Sequence, residues 1–202
     1  MENAIKLTDV IASPDTKRQN RIPPGQRLLS SWPVFHYGPV PAVDRASWRL
    51  RIWGAVGSER ELTCDEFTAL PHVTVLSDIH CVTHWTKLDN LWTGVSTCVI
   101  RELAAPGPSA RFVIVHGAGD FTTNLSIEDF FEPDCLFALT HDGVPLSAEH
   151  GGPVRLIVPR LYFWKSAKWA TGIEFVERDR PGFWEMHGYH MHGDPWKEER
   201  YS

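Results

Sequence analysis

Asp78-Ile79-His80-Cys81-Val82-Thr83-His84-Trp85, followed by Trp92-Thr93-Gly94, is the stretch on which the rest of the chain depends. It places one cysteine after an apolar run (Val73, Val75, Leu76, Ile79) and between two histidines. The run reads as a strand over 73–79 that delivers Cys81 into a loop, with an aromatic-rich turn at Trp92-Thr93-Gly94. A thiol held there is either a small core hydrophobe or a ligand presented by the end of a rigid strand. Its neighbours His80, Thr83, His84 and Lys87 are polar or ionisable. A nearby cation favours thiolate, the form that binds soft metals, so the ligand reading is preferred. Cys64, Cys98 and Cys135 each fall within a helix or strand pattern and read as core thiols.

Outward from this stretch the pattern is mainly of strands. Trp48-Arg49-Leu50-Arg51-Ile52-Trp53 alternates strictly, with Trp48, Leu50 and Ile52 on one face. Thr63-Cys64-Asp65-Glu66 is a capping box that opens a short helix reaching about Leu70 and ended by Pro71. Beyond Gly94, the spacing of Val95, Cys98, Val99 and Leu103 predicts an amphipathic helix. Strands follow at 111–115, 135–139, 154–158 and 173–176, with a short helix from Ser126 and a hairpin turn at Asp142-Gly143. There is no sustained βαβ alternation, so the fold class is α+β. Residues 1–30, punctuated by Pro14, Pro23, Pro24 and Gly25, read as an extended N-terminal arm, and 31–202 as a single domain. Within that domain, Trp32 to Pro41 is a proline-stiffened aromatic loop.

The chain has 202 residues and a formal net charge of −5, which argues against a nucleic-acid surface. No run approaches the length of about 18 apolar residues that a membrane span needs. Met1-Glu2-Asn3-Ala4-Ile5-Lys6 has neither the apolar core of a signal peptide nor a twin-arginine pair. The four cysteines show no C-x-x-C pair and no secreted framework, so the expected location is the cytoplasm.

A second constellation is His150-Gly151-Gly152-Pro153-Val154-Arg155, followed by Lys165-Ser166-Ala167-Lys168-Trp169. An arginine inside an apolar strand is costly to bury without a partner. The partner is either a core carboxylate or an anion shared with Ser166 and Lys168, since Arg offers a planar fork and Lys a point charge to phosphate.

Taken in order, these segments resemble the molybdopterin-binding oxidoreductases of the sulfite oxidase type, over roughly Trp32 to Arg200. The family's cysteine segment is similar to His80-Cys81-Val82-x-x-Trp85 with Trp92-Thr93-Gly94, and its pterin-phosphate segment to His150-Gly151-x-Pro153-Val154-Arg155, Val158-Pro159 and Lys165-Ser166-x-Lys168. Pro39-Val40-Pro41 is similar to the entry loop of the sulfite oxidases. The resemblance implies that Cys81 is the protein thiolate on molybdenum, completing a sulfur set begun by the pterin dithiolene. It places Phe35, His36, His116, His150, Arg155, Ser166, Ala167 and Lys168 at positions that hold the pterin and its phosphate, although His36 and His116 depart from the side chains usual there. The tail from Gly182 to Trp196 is similar to that of compact bacterial members. There it either brings Tyr189 or His190 near the metal or simply packs Trp184 and Trp196 on the domain.

The activity so implied is two-electron oxygen-atom transfer on a small S- or N-oxo substrate, using Mo-molybdopterin without an appended nucleotide. Electrons would pass to or from a soluble donor or acceptor, since the chain has room for neither a haem domain nor an immunoglobulin-like dimerisation domain. Sulfite oxidisers carry basic residues just after the cysteine; here the positions read Val82-Thr83-His84-Trp85-Thr86-Lys87, which puts sulfite in doubt unless His84 or Lys87 substitutes. Three other readings remain open: a non-catalytic molybdopterin carrier, a zinc-binding module using His187, His190 and His192, and a Cys81 nucleophile with His84 as its base.

Overall fold

The computed structural model describes residues 10–202. In chain order the strands are β1 (Val10–Ala12), β2 (Arg27–Leu28), β3 (Arg49–Gly54), β4 (Arg60–Thr63), β5 (His72–Cys81), β6 (Trp85–Ser96), β7 (Phe112–Gly117), β8 (Thr122–Ser126), β9 (Leu136–His141), β10 (Val144–Pro145), β11 (Arg155–Ile157) and β12 (Ala170–Val176). Four short helices interrupt them: α1 (Cys64–Thr68), α2 (Thr97–Ala104), α3 (Ile127–Phe130) and α4 (Phe183–Met186). Strands dominate and no βαβ series forms, so the fold is α+β.

The strands make two sheets. One runs β1-β5-β6-β9-β10, with β2 added to β6 and β11 to β9; the other runs β4-β3-β12-β7-β8. The main core lies between them. Leu50, Ile52, Val113, Val115, Ile173 and Phe175 of the second sheet meet Val95, Phe137 and Leu156 of the first, with Phe67, Ile100 and Phe130 inserted from the helices. Alternation accounts for β3: Leu50 and Ile52 are fully buried while Arg51 on the opposite face is exposed. The first sheet also buries its far face, where Val75, Ile79, Trp85 and Trp92 are covered by Ile11, Leu29, Trp32 and Phe163. Residues 10–30 supply part of that cover, through Ile11 and Leu29. There β1 pairs in parallel with β5, and Arg21 grips the buried carboxylate of Asp78 through two bonds of 2.6 and 2.9 Å.

Local signals explain several boundaries. Thr63 and Glu66 form the reciprocal capping box that starts α1. The Ser96 hydroxyl accepts the Cys98 amide, so α2 begins at Thr97 rather than at Val95. Two features of the cysteine stretch differ from expectation. The strand β5 runs on through Cys81, and Trp92-Thr93-Gly94 is the middle of a strand rather than a turn. Gly94 permits this because a Cβ there would lie 2.1 Å from the Phe137 carbonyl oxygen, beside a register shift in the β6–β9 pairing. The strands β4 and β8 lacked a recognisable sequence pattern and appear only in the fold.

Candidate functional site

The β5–β6 hairpin presents the cysteine. Cys81 pairs with Trp85, and the loop Val82-Thr83-His84 closes with the His84 amide donating to the Cys81 carbonyl at 3.1 Å and His84 at φ 67°. This tight loop holds the Cys81 Sγ 3.1 Å from the Thr83 hydroxyl, at the wall of a cavity of about 500 Å3. Burial pushes the Cys81 thiol above its ordinary value, with Thr83 and the Arg200 charge acting against it. A metal taken up here would therefore displace a proton. Arg200 is buried behind the loop, donating to the Val82 carbonyl at 2.7 Å and to the Pro24 carbonyl at 3.3 Å.

A second group of residues, from β11 and the segment after it, forms another part of the wall. Arg155 is fully buried and donates to the carbonyls of His150 and Ser166 at 2.7 and 2.8 Å. Its Nε has no partner, and among the described residues it forms no ion pair with a carboxylate. Burial lowers its pKa to about 9. Among the described residues Lys168 donates only to the carbonyls of Phe35 and Glu149, and burial together with the Arg155 charge, against the Glu149 charge, lowers its pKa to about 7. Ser166 accepts the Val158 amide on its Oγ, which leaves its hydroxyl proton free to donate. Two cations on one cavity wall, neither in an ion pair with a carboxylate among the described residues, favour an anion between them. Gly151, at φ 99°, lets the backbone approach the Lys168 side chain where a Cβ would come within 2.9 Å.

Of the residues expected from sequence, Phe35, His36, Cys81, Arg155, Ser166, Lys168 and Tyr189 line this cavity together. His150 sits behind it, stacked on Trp32 with ring centroids 3.7 Å apart, and is lowered to about 4 by burial and by Arg155. Ala167 points into the core. His116 is turned away, 3.2 Å from Glu174 and beside Trp53. His190 accepts the amides of His192 and Gly193 within the tail and does not line the cavity. Trp92 is likewise not a wall residue; it is fully buried beneath Trp32, with its indole donating to Ser77.

The alternatives lose their geometry. His84 bonds through Nδ1 to the Gly25 carbonyl, and Lys87 donates to Asn90; neither lines the cavity. His84 is thus not placed as a base for Cys81, and neither residue replaces the basic groups absent after the cysteine. His187 bonds to the Phe183 carbonyl and His192 lies between Glu199 and Asp129. Among the described residues no three His, Cys, Asp or Glu side chains converge as a metal-ligand set, so the tail does not form the zinc site considered above.

Sequence reasoning missed Tyr37, Phe121 and Trp164 as wall residues, and it missed Arg200 and Glu185 behind the wall. The aromatic-rich stretch at 32–41 and the tail were visible signals. The partners of Arg200 are backbone carbonyls, which carry no side-chain signature.

Residues 37–184 match the model of the oxidoreductase molybdopterin binding domain. The chain is 45% identical over 186 residues to the uncharacterized oxidoreductase YuiH of Bacillus subtilis, covering 92% of this chain and 94% of that one. It is 32% identical over 161 residues to a putative protein-methionine-sulfoxide reductase subunit, YedZ1, of Azospira oryzae, covering 78% of this chain and 61% of that one. Among solved structures, the sulfane dehydrogenase SoxCD from Paracoccus pantotrophus superposes with a TM-score of 0.66 at 20% identity, over 82% of this chain and 46% of that one. The chain is a molybdopterin-binding oxidoreductase domain of the sulfite oxidase family. Its residues fit that cofactor: a soft thiol at one part of the wall, and at another a buried guanidinium and a half-buried ammonium, neither of which forms an ion pair with a carboxylate among the described residues.

Proposed function

We propose that the protein is a mononuclear molybdenum–molybdopterin enzyme that transfers oxygen to or from a small S- or N-oxo substrate. The observation that carries this is Arg155 and Lys168, neither in an ion pair with a carboxylate among the described residues, sharing one cavity with the Cys81 thiol. The cofactor supplies a two-electron redox couple for oxygen-atom transfer. Cys81 would hold the metal as a thiolate, having given up its proton, with its sulfur oriented by the Thr83 hydroxyl. Arg155, Lys168 and the Ser166 hydroxyl would hold the terminal phosphate, each such charge-assisted bond contributing about 1.5–3 kcal/mol. The family resemblance, in which the phosphate pocket is short, supports a phosphate without an appended nucleotide.

Phe35 and His36 bound the cavity from the loop at 32–41, while Trp85 and Tyr189 exclude water around the sulfur. The name of the Azospira relative supports a sulfoxide among the substrate types. No helix among the described residues is long and apolar enough to cross a membrane, and we assign the protein to the cytoplasm with a soluble electron donor or acceptor.

The test is metal and pterin content of protein purified from a host that makes molybdopterin. About one molybdenum per chain is expected, falling at least tenfold in Cys81→Ser. Zinc in its place, with no fluorescent pterin released on denaturation, would rule the reading out.

A further inference from the structure

The wall beside Cys81 differs in chemistry from the wall around Arg155. Phe183, Trp184 and Tyr189 come from the tail, Trp164 from the segment after β11, and Tyr37 from the loop opposite. Trp184 stacks on Tyr189 with centroids 5.0 Å apart, Trp164 meets Tyr189 edge-on at 5.0 Å, and Tyr37 approaches Phe183 at 5.0 Å and Trp184 at 6.2 Å. Among the described residues the only lysine and arginine on the cavity wall are Lys168 and Arg155, and no carboxylate lines it. Arg200 is committed to backbone carbonyls behind the loop and does not reach the lining. Tyr37 is 69% exposed, so this side opens outward.

We infer that the substrate subsite beside Cys81 takes an uncharged, ring-bearing oxo compound, such as an aryl sulfoxide or a heteroaromatic N-oxide, in preference to an oxyanion. This deepens the proposed function and rests on it. A small oxyanion entering here would lose its hydration and find no cation of its own once the cofactor phosphate has engaged Arg155 and Lys168. A flat ring gains stacked and edge-on contacts with Trp184, Tyr189 and Tyr37. In the reductive direction the compound takes up two electrons and two protons, releasing water and the sulfide or amine. The electrons come from a low-potential one-electron donor such as a reduced viologen.

The test uses the molybdenum-loaded protein with three probes, methyl phenyl sulfoxide, dimethyl sulfoxide and sulfate, measured by titration calorimetry. Turnover of the two sulfoxides with reduced viologen is followed in parallel. Methyl phenyl sulfoxide is expected to bind about tenfold more tightly than dimethyl sulfoxide, with a matching kcat/KM ratio, and sulfate to bind least. Tyr37→Ala and Trp184→Ala should each bring the sulfoxide ratio towards one. Tyr37 is exposed enough for its variant to fold even where Trp184→Ala does not. Sulfate binding as tightly as the aryl sulfoxide, or a ratio unchanged in Tyr37→Ala, would overturn the inference. A ratio near one in the unaltered protein would also do so, and would assign the aromatic wall to the pterin itself. Failure of the proposed function is separate: it shows as absent molybdenum, whereas failure of the subsite shows as the wrong order of binding in molybdenum-loaded protein.

Discussion

Lys165 and Glu185 form an ion pair of 2.6 Å in which neither side chain has any solvent exposure. Glu185 also accepts the Trp164 indole at 2.8 Å, and Lys165 donates to Asn124 and to the Met191 carbonyl. One buried carboxylate thus joins the cavity wall at Trp164 to α4, which carries Phe183 and Trp184. Truncating one member of a buried pair leaves the other charge uncompensated, a cost of about 3–5 kcal/mol. Glu185→Ala is expected to destabilise the fold by about 3 kcal/mol, since Lys165 keeps its Asn124 and Met191 acceptors. Lys165→Met combined with Glu185→Leu should cost less than the sum of the single changes. Denaturant midpoints of the unaltered protein, Glu185→Ala, the two single variants of the cycle and the double variant check both statements.

Arg155 is a buried cation that forms no ion pair with a carboxylate among the described residues. Arg155→Met removes the charge together with the fork that would hold the phosphate. Loss of one charge-assisted interaction of about 1.5–3 kcal/mol predicts at least a tenfold drop in retained pterin. Stability of the cofactor-free protein should change much less, because the desolvation cost of the guanidinium disappears along with its two carbonyl bonds. Pterin fluorescence after denaturation, set against the unfolding midpoint of cofactor-free protein, distinguishes the two effects.

His192 ties the tail to α3. Its Nδ1 lies 2.7 Å from Glu199 and its Nε2 3.4 Å from Asp129, and the Asp129 bond, opposed by burial and aided by Glu199, raises its pKa above 6.5. A raised histidine pKa means that the folded state holds the proton more tightly than the unfolded chain does. Its stabilisation is therefore complete below about pH 6.5 and is lost as pH rises through the folded value. His192→Gln should flatten this part of the stability profile while leaving the alkaline plateau nearly unchanged. Urea midpoints between about pH 5.5 and about pH 9 provide the measurement.

Gly94 has backbone against it where another residue would have a side chain. Gly94→Ala would push a methyl group into the Phe137 carbonyl, forcing β6 from β9 at its register shift. Overpacking of this kind costs about 1–3 kcal/mol, and more where the obstacle is backbone that cannot rotate aside. The expected result is a lowered unfolding midpoint with no change in the affinity of the Cys81 loop for a thiol reagent per folded molecule.

The α+β class, the alternation of β3, the capping box at Thr63 and the two segments carrying Cys81 and Arg155 were legible in the chain. Each is a local pattern, set by side-chain period, by a cap, or by a charge placed among apolar neighbours. The reading of Trp92-Thr93-Gly94 as a turn failed because a glycine in sequence marks either a bend or a close approach. Only the β6–β9 pairing shows that this one is a close approach.

The site divides in the same way. Sequence order alone placed a thiol near position 81 and cations near 155 and 168. Tertiary structure decided that they share one cavity, that Tyr37 and the tail aromatics wall it, and that His116 and His190 face elsewhere. It also decided that Arg200 and Glu185 stand behind that wall. These contacts join residues far apart in the chain, Lys168 to Phe35 and Arg200 to Val82 among them, often through backbone carbonyls. A carbonyl is the same at every residue, so no sequence pattern announces which one a buried cation will find.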